Sequence, residues 1–167
     1  MANYDISELD FLIVDDNTSM RRMLIGMLKA LGALHVREAS NGADAFEMNR
    51  QQESDLIICD WSMKPVNGIE LTRMIRNDVD TPNPYVPVIL VTGFTDRQRV
   101  MSARDSGIHE FLAKPVSARS LYARICQTIE YPRPFVRAES YFGPDRRRRL
   151  DPSYDGPERR ANGTVET

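Results

Sequence analysis

A doubly wound α/β domain on a five-stranded parallel sheet is the fold class predicted for this 167-residue sequence, and three observations predict it. Apolar runs of strand length, continuous rather than alternating, read as strands covered on both faces. Segments with apolar residues at helical spacing lie between them, so strands and helices alternate. Polar, chemically capable residues stand just past the ends of the runs, at the edge where such sheets carry their function.

The first strand is Phe11-Leu12-Ile13-Val14, ended by Asp15-Asp16. Thr18 or Ser19 can cap the helix after it, whose Met20, Met23, Leu24, Met27, Leu28 and Leu31 form an apolar stripe closed by Gly32. A shorter strand, His35-Val36-Arg37-Glu38-Ala39, alternates and is expected at an edge. Asn41-Gly42 opens a second helix. Asp55-Leu56-Ile57-Ile58-Cys59 then runs into Asp60, and Asn67-Gly68 opens a third helix carrying Ile69, Leu71, Met74 and Ile75. Tyr85-Val86-Pro87-Val88-Ile89-Leu90-Val91 ends in Thr92-Gly93, with a fourth helix from Thr95 stopped by Gly107. Glu110-Phe111-Leu112-Ala113 ends in Lys114-Pro115, and Ser117 caps a fifth helix with Leu121, Ile125 and Ile129 inward.

A composition 41% hydrophobic and 28% charged is that of a globular protein, and no apolar run approaches the roughly 18 residues of a membrane span. No membrane insertion is therefore expected. The acidic start MANYDISELD lacks the features of a signal peptide, and Cys59 and Cys126 form no disulfide framework, so a cytoplasmic protein is expected. The net charge of −2 hides an asymmetry. Residues 1–131 hold 14 Lys and Arg against 18 Asp and Glu, whereas residues 132–167 hold 8 against 6, all eight cations being arginine. Half of the ten prolines fall in that second segment, whose only aliphatics larger than alanine are Val136, Leu150 and Val165. It is expected to be disordered when unliganded, because it offers little surface to offset its ordering entropy.

If the strands ending in Asp15-Asp16 and Asp60 are neighbours, three carboxylates converge. Such a cluster repels itself unless a hard cation joins it, which points to Mg²⁺. Lys114 adds a positive charge and Thr92 a hydroxyl donor, so Asp60 could act as a nucleophile toward phosphorus. Taken singly, Asp16 or Asp60 could be a helix cap and Thr92 a turn hydroxyl. Caps do not explain a lysine beside three acids. Cys59 reads as a buried strand residue, His35 and His109 as strand-edge residues, and Trp61 as a half-exposed packing residue.

The ordered set Asp15-Asp16, Asp60, Thr92 and Lys114-Pro115 resembles the acidic pair, phosphoacceptor, switch residue and lysine of CheY-like response-regulator receivers. The likeness spans residues 9–131, with Gly68 eight residues after Asp60 and Phe111 at the aromatic switch position. The resemblance implies the strand order 2-1-3-4-5, with Asp60 as phosphoacceptor and Thr92, Lys114 and Phe111 as its switch and pocket residues. It also implies Mg²⁺ on Asp15, Asp16 and Asp60, and a cis peptide at Lys114-Pro115. The implied partner is a histidine kinase or phosphotransfer protein, and the implied chemistry is confined to the chain's own phosphorylation and dephosphorylation. Two departures stand out. Lys64-Pro65 replaces a proline expected at position 64, and Thr81-Pro82-Asn83-Pro84 lengthens the loop before the fourth strand.

The tail contains a repeat. Tyr141-Phe142-Gly143-Pro144-Asp145-Arg146-Arg147 recurs thirteen residues later as Tyr154-Asp155-Gly156-Pro157-Glu158-Arg159-Arg160, and Arg148 and Arg149 extend the first copy. Arginine can donate a bidentate pair to guanine O6 and N7, stack on the purine or contact phosphate. Asp145 and Glu158 could accept from guanine N1–H and N2–H₂, Gly-Pro shapes a turn, and the tyrosines can stack. Two copies suit a ligand with two guanines and two phosphates, as in cyclic di-GMP. The tail resembles that of the Cle group of CheY-like proteins, which implies cyclic di-GMP binding and a flagellar motor-switch partner. The competing readings are a phosphotransfer receiver with an incidental tail and a receiver with a nucleic-acid-binding tail. Acids interleaved with the arginines argue against the latter.

Overall fold

The computed structural model describes residues 4–93, 97–146 and 164–166. Its main sheet comprises β1 (Asp10–Val14), β2 (His35–Ala39), β3 (Leu56–Asp60), β4 (Val88–Thr92) and β5 (Glu110–Ala113). All pairings are parallel, in the order β2-β1-β3-β4-β5, as expected. The helices are α1 (Thr18–Ala30), α2 (Gly42–Gln51), α3 (Gly68–Asn77), α4 (Arg97–Arg104) and α5 (Ala118–Glu130).

The period of two along each strand divides the core into layers. Phe11, Ile13, Leu56, Ile58, Ile89 and Val91 pack with Leu24 and Leu28 of α1 and Leu121 and Ile125 of α5. Their strand neighbours Leu12, Val14, Ile57, Cys59 and Val88 pack on the other face with Ala45 of α2 and Leu71 and Ile75 of α3. Each fully buried aliphatic of this kind contributes about 1.5–3 kcal/mol. Continuous apolar strands are what a sheet covered on both sides requires.

The helix starts agree with the sequence at α2, α3 and α5, where Asn41, Asn67 and Ser117 cap. At α1 the cap is Asn17, not Thr18 or Ser19: its side chain accepts the Met20 N–H at 3.1 Å. All three residue types can cap. The choice falls on Asn17 because the chain leaves β1 in an extended conformation at that residue. Gly32 and Gly107 adopt φ of 102° and 95°, the left-handed conformation that ends a helix. The Thr95 start assigned to the fourth helix lies outside the described residues, where α4 begins at Arg97. Lys114-Pro115 is cis, and so is Lys64-Pro65.

The larger difference comes after α5. Residues 132–146, expected to be disordered, are folded onto the domain. β6 (Phe135–Ala138) and β7 (Tyr141–Pro144) form an antiparallel hairpin, and β8 (Thr164–Glu166) adds to β6. A count of aliphatics overlooked the aromatics. Phe135 and Phe142 are buried with Val136, and Tyr85 meets their rings edge-on at 4.9 and 5.5 Å. Large aromatic surfaces of this kind offset the ordering cost that few aliphatics could not.

A buried guanidinium anchors the hairpin. Arg76 of α3 donates to the carbonyls of Pro84 at 2.7 Å, Val86 at 2.8 Å and Gly107 at 3.1 Å, and lies 5.2 Å from the Phe135 ring centre. Burial lowers its pKa to about 9, which still leaves it charged at neutral pH. Arg133 adds bonds to the carbonyls of Ile108, His109 and Asp145. His109, read from the sequence as a strand-edge residue, is buried here. Its Nδ1 accepts from Val88 N–H and Arg76 Nη2, both at 3.3 Å. Neither donor can accept, so the ring is neutral with its proton on Nε2, and burial beside Arg76 and Arg133 holds its pKa well below the usual value.

Candidate functional site

The register of the sheet assembles the site. Val14 pairs with Cys59, so Asp15 and Asp60 leave adjacent strands side by side. Asp60 pairs with Val91 and Thr92 with Ala113, which brings Thr92 and Lys114 to the same edge. Carboxylate oxygens of Asp15, Asp16 and Asp60 all lie within 4.8 Å of one another. Asp15, Asp60 and Thr92 are buried, while Asp16 is exposed. Each acid expected in the pocket is there.

Asp60 is oriented through both oxygens. Oδ1 lies 2.6 Å from Lys114 Nζ, and Oδ2 accepts the Ser62 N–H at 2.9 Å. Asp15 Oδ1 accepts the Asn17 N–H at 2.8 Å, but its Oδ2 is buried with no hydrogen-bond partner among the described residues. Burial is the main cause that raises the Asp15 pKa, and the nearby Asp60 carboxylate raises it further. An orphaned anionic oxygen beside two further carboxylates suits a hard divalent cation, so these residues fit Mg²⁺.

Gly68 determines how close α3 comes to the site. A Cβ there would overlap the Asp60 carbonyl oxygen and lie 2.6 Å from Leu90 Cδ1. The Gly68 N–H instead reaches the Trp61 carbonyl at 3.1 Å, and the Asn67–Glu70 capping box finishes the helix start. Trp61 and Phe111 are both half-buried against Leu90, Ala103 and Ile108, the cluster beneath α4. Cys59 is fully buried, and burial pushes its thiol pKa well up.

Sequence reasoning missed three supporting residues. Asn17 and Ser62 hold the two carboxylates through backbone N–H groups, and Arg21 Nη1 donates to the Asp15 carbonyl at 2.8 Å while pairing with Glu38. Asn17 and Ser62 act through backbone donors, which carry no signal in the sequence.

The arginine motif is only partly described. Tyr141, Gly143 and Pro144 lie in β7, followed by Asp145 and Arg146. Arg147, Arg148, Arg149, Tyr154, Gly156, Pro157, Glu158, Arg159 and Arg160 lie outside the described residues. The hairpin docks near Pro84, Val86 and Gly107, which precede β4 and β5. That edge is a strand length away from the carboxylates, about 16 Å.

The family model of the response regulator receiver domain matches residues 11–126. The chemotaxis protein CheY-3 of Vibrio cholerae is 30% identical over 122 residues, covering 73% of this chain and 92% of that protein. The chemotaxis protein CheY of Pseudomonas aeruginosa is 32% identical, covering 73% of this chain and 97% of that protein. Among solved structures, a response regulator from Chloroflexus aurantiacus superposes with a TM-score of 0.67 at 26% identity, covering 73% of this chain and 98% of that one.

Proposed function

This chain belongs to the response regulator receiver family, and from that premise we propose that Asp60 is its phosphoryl acceptor and that its arginine-rich tail binds cyclic di-GMP. Receivers of the CheY type accept a phosphoryl group on an aspartate and interact with histidine kinases or phosphotransfer proteins. The observation that carries the assignment to Asp60 is its place 2.6 Å from Lys114 within the cluster of Asp15 and Asp16.

An Asp60 carboxylate oxygen forms the new bond to phosphorus as the donor's bond to phosphorus breaks, and the donor keeps that electron pair. Lys114 remains beside the product and neutralises charge on the phosphoryl oxygens, and the Thr92 hydroxyl donates to one of them. Asp15, Asp16 and Asp60 would hold Mg²⁺, which when bound neutralises phosphoryl charge as the group arrives. Trp61 and Phe111 both pack against Leu90, Ala103 and Ile108 beside α4, which supports a role for Phe111 in relaying a change at Thr92.

The nucleotide reading rests on the repeat of Tyr-x-Gly-Pro-acid-Arg-Arg and on the likeness of the tail to that of the Cle group. By that likeness the output is a protein partner, a flagellar motor-switch component. Calorimetric titration of the full chain with cyclic di-GMP tests it. Arg160→Ala is expected to weaken binding about tenfold, given about 1–3 kcal/mol for a good bidentate arginine–guanine contact. No binding at high micromolar protein, or equal affinity for cyclic di-AMP, ends this reading. The second reading is a phosphotransfer receiver whose C-terminal hairpin is simply part of the fold. The burial of Phe135 and Phe142 favours it, and it stands if the titration is silent.

A further inference from the structure

The first arginine copy is already engaged within the chain. Arg146 Nη1 lies 3.2 Å from Oδ1 of Asp105, in the turn between α4 and β5. Its guanidinium also lies 3.9 Å from the centre of the Tyr141 ring, and the Tyr141 hydroxyl donates to the Pro144 carbonyl at 2.7 Å. One donor of the fork and the ring face that a purine would use are thus both engaged. Among the described residues, Arg146 Nε is buried with no hydrogen-bond partner.

We propose that Asp105 is an intramolecular competitor for the nucleotide: its carboxylate holds Arg146 in the free protein, and a guanine dinucleotide must displace it to reach Arg146 and Tyr141. This proposal rests on the nucleotide reading above. A carboxylate, a phosphate and the O6/N7 edge of guanine all offer acceptors to the same guanidinium, so Asp105 and a ligand compete for the Nη1 donor that the ion pair occupies. Bound to Asp105, Arg146 leaves Nε unsatisfied, whereas a bidentate acceptor on the ligand can satisfy it.

The energetics suit displacement. The two side chains are 37% and 47% exposed, and such pairs are weak. Asp105 also lies 3.6 Å from Arg104 Nε, so it keeps a cation when Arg146 departs. Arg76 and Arg133 hold the hairpin through separate bonds. Release of Arg146 therefore leaves β6 and β7 docked.

Asp105→Asn keeps the shape and removes the charge. Titrated with cyclic di-GMP, this variant of the full chain is expected to bind about two- to fivefold tighter than wild type, the range set by a weak surface ion pair. Without ligand, the Arg146 side-chain proton resonances, shifted by the Tyr141 ring, are expected to move toward free-arginine values. Glu139→Gln removes an exposed acid from the same hairpin and is the control for general charge. Equal affinities for wild type and Asp105→Asn overturn the proposal while leaving the nucleotide reading intact. An equal gain in Glu139→Gln overturns it as well. Failure of both proteins to bind removes the nucleotide reading itself, and the competitor with it.

Discussion

Lys114 Nζ lies 2.6 Å from Oδ1 of Asp60, while the other oxygen of that carboxylate is held at 2.9 Å by the N–H of Ser62. The carboxylate is therefore aimed before any donor arrives, and the residue between Asp60 and Ser62 is Trp61, the sole tryptophan of the chain. Beryllofluoride with Mg²⁺, an acyl-phosphate mimic, is expected to shift or quench Trp61 fluorescence in wild type. Asp60→Ala should abolish the response, and a variant that responds like wild type removes Asp60 from its role.

Asp15 carries the opposite sign from most acids in a folded chain. Burial raises its pKa, so ionisation costs more in the folded state than in the unfolded one. Its contribution to stability is accordingly lost as pH rises from the ordinary carboxylate range through the raised value. Asp15→Asn is expected to be more stable than wild type at neutral pH without Mg²⁺, and to lose most of the stabilisation that Mg²⁺ adds. Thermal unfolding with and without the metal checks both halves. A variant less stable than wild type without metal, or equally stabilised by Mg²⁺, contradicts the shared-cation site.

Gly68→Ala should cost about 1–3 kcal/mol, because the added Cβ overlaps the Asp60 carbonyl and neither β3 nor Leu90 can retreat within a packed sheet. The urea midpoint should fall, and Mg²⁺ binding should weaken with it as β3 shifts. An unchanged midpoint means that this contact does not set the entry of α3.

Arg76→Met removes the cation shared by the carbonyls of Pro84, Val86 and Gly107, and should cost about 2–4 kcal/mol in urea unfolding. Arg76→Lys should recover little, since one compact ammonium cannot serve three carbonyls while lying against Phe135. Full recovery by lysine would reduce the anchor to a matter of charge alone.

The fold and the acidic pocket were legible because both depend on local signals. Continuous apolar runs such as Leu56–Cys59 announce strands covered on both faces, and acids or a lysine just past a run must land on one sheet edge. The start of α1 was legible only to within a residue, because Asn17, Thr18 and Ser19 can all cap and the exit of the chain from β1 chooses between them.

By itself, the sequence determined the alternation of strands and helices, their apolar faces, and the reactive side chains at strand ends, since each depends on residues near one another in the chain. The family resemblance supplied the strand order. Only the tertiary structure decided what Asn17, Ser62, Arg76 and Asp105 do. Asn17 and Ser62 act through backbone N–H groups that every residue but proline carries. Arg76 spans from α3 to the loops before β4 and β5, and Asp105 meets an arginine forty-one residues further on. Docking of the hairpin was decided in the same way. Phe135 and Phe142 have too little surface to fold alone, and they order because Tyr85, His109 and Arg76 already form the floor on which they pack.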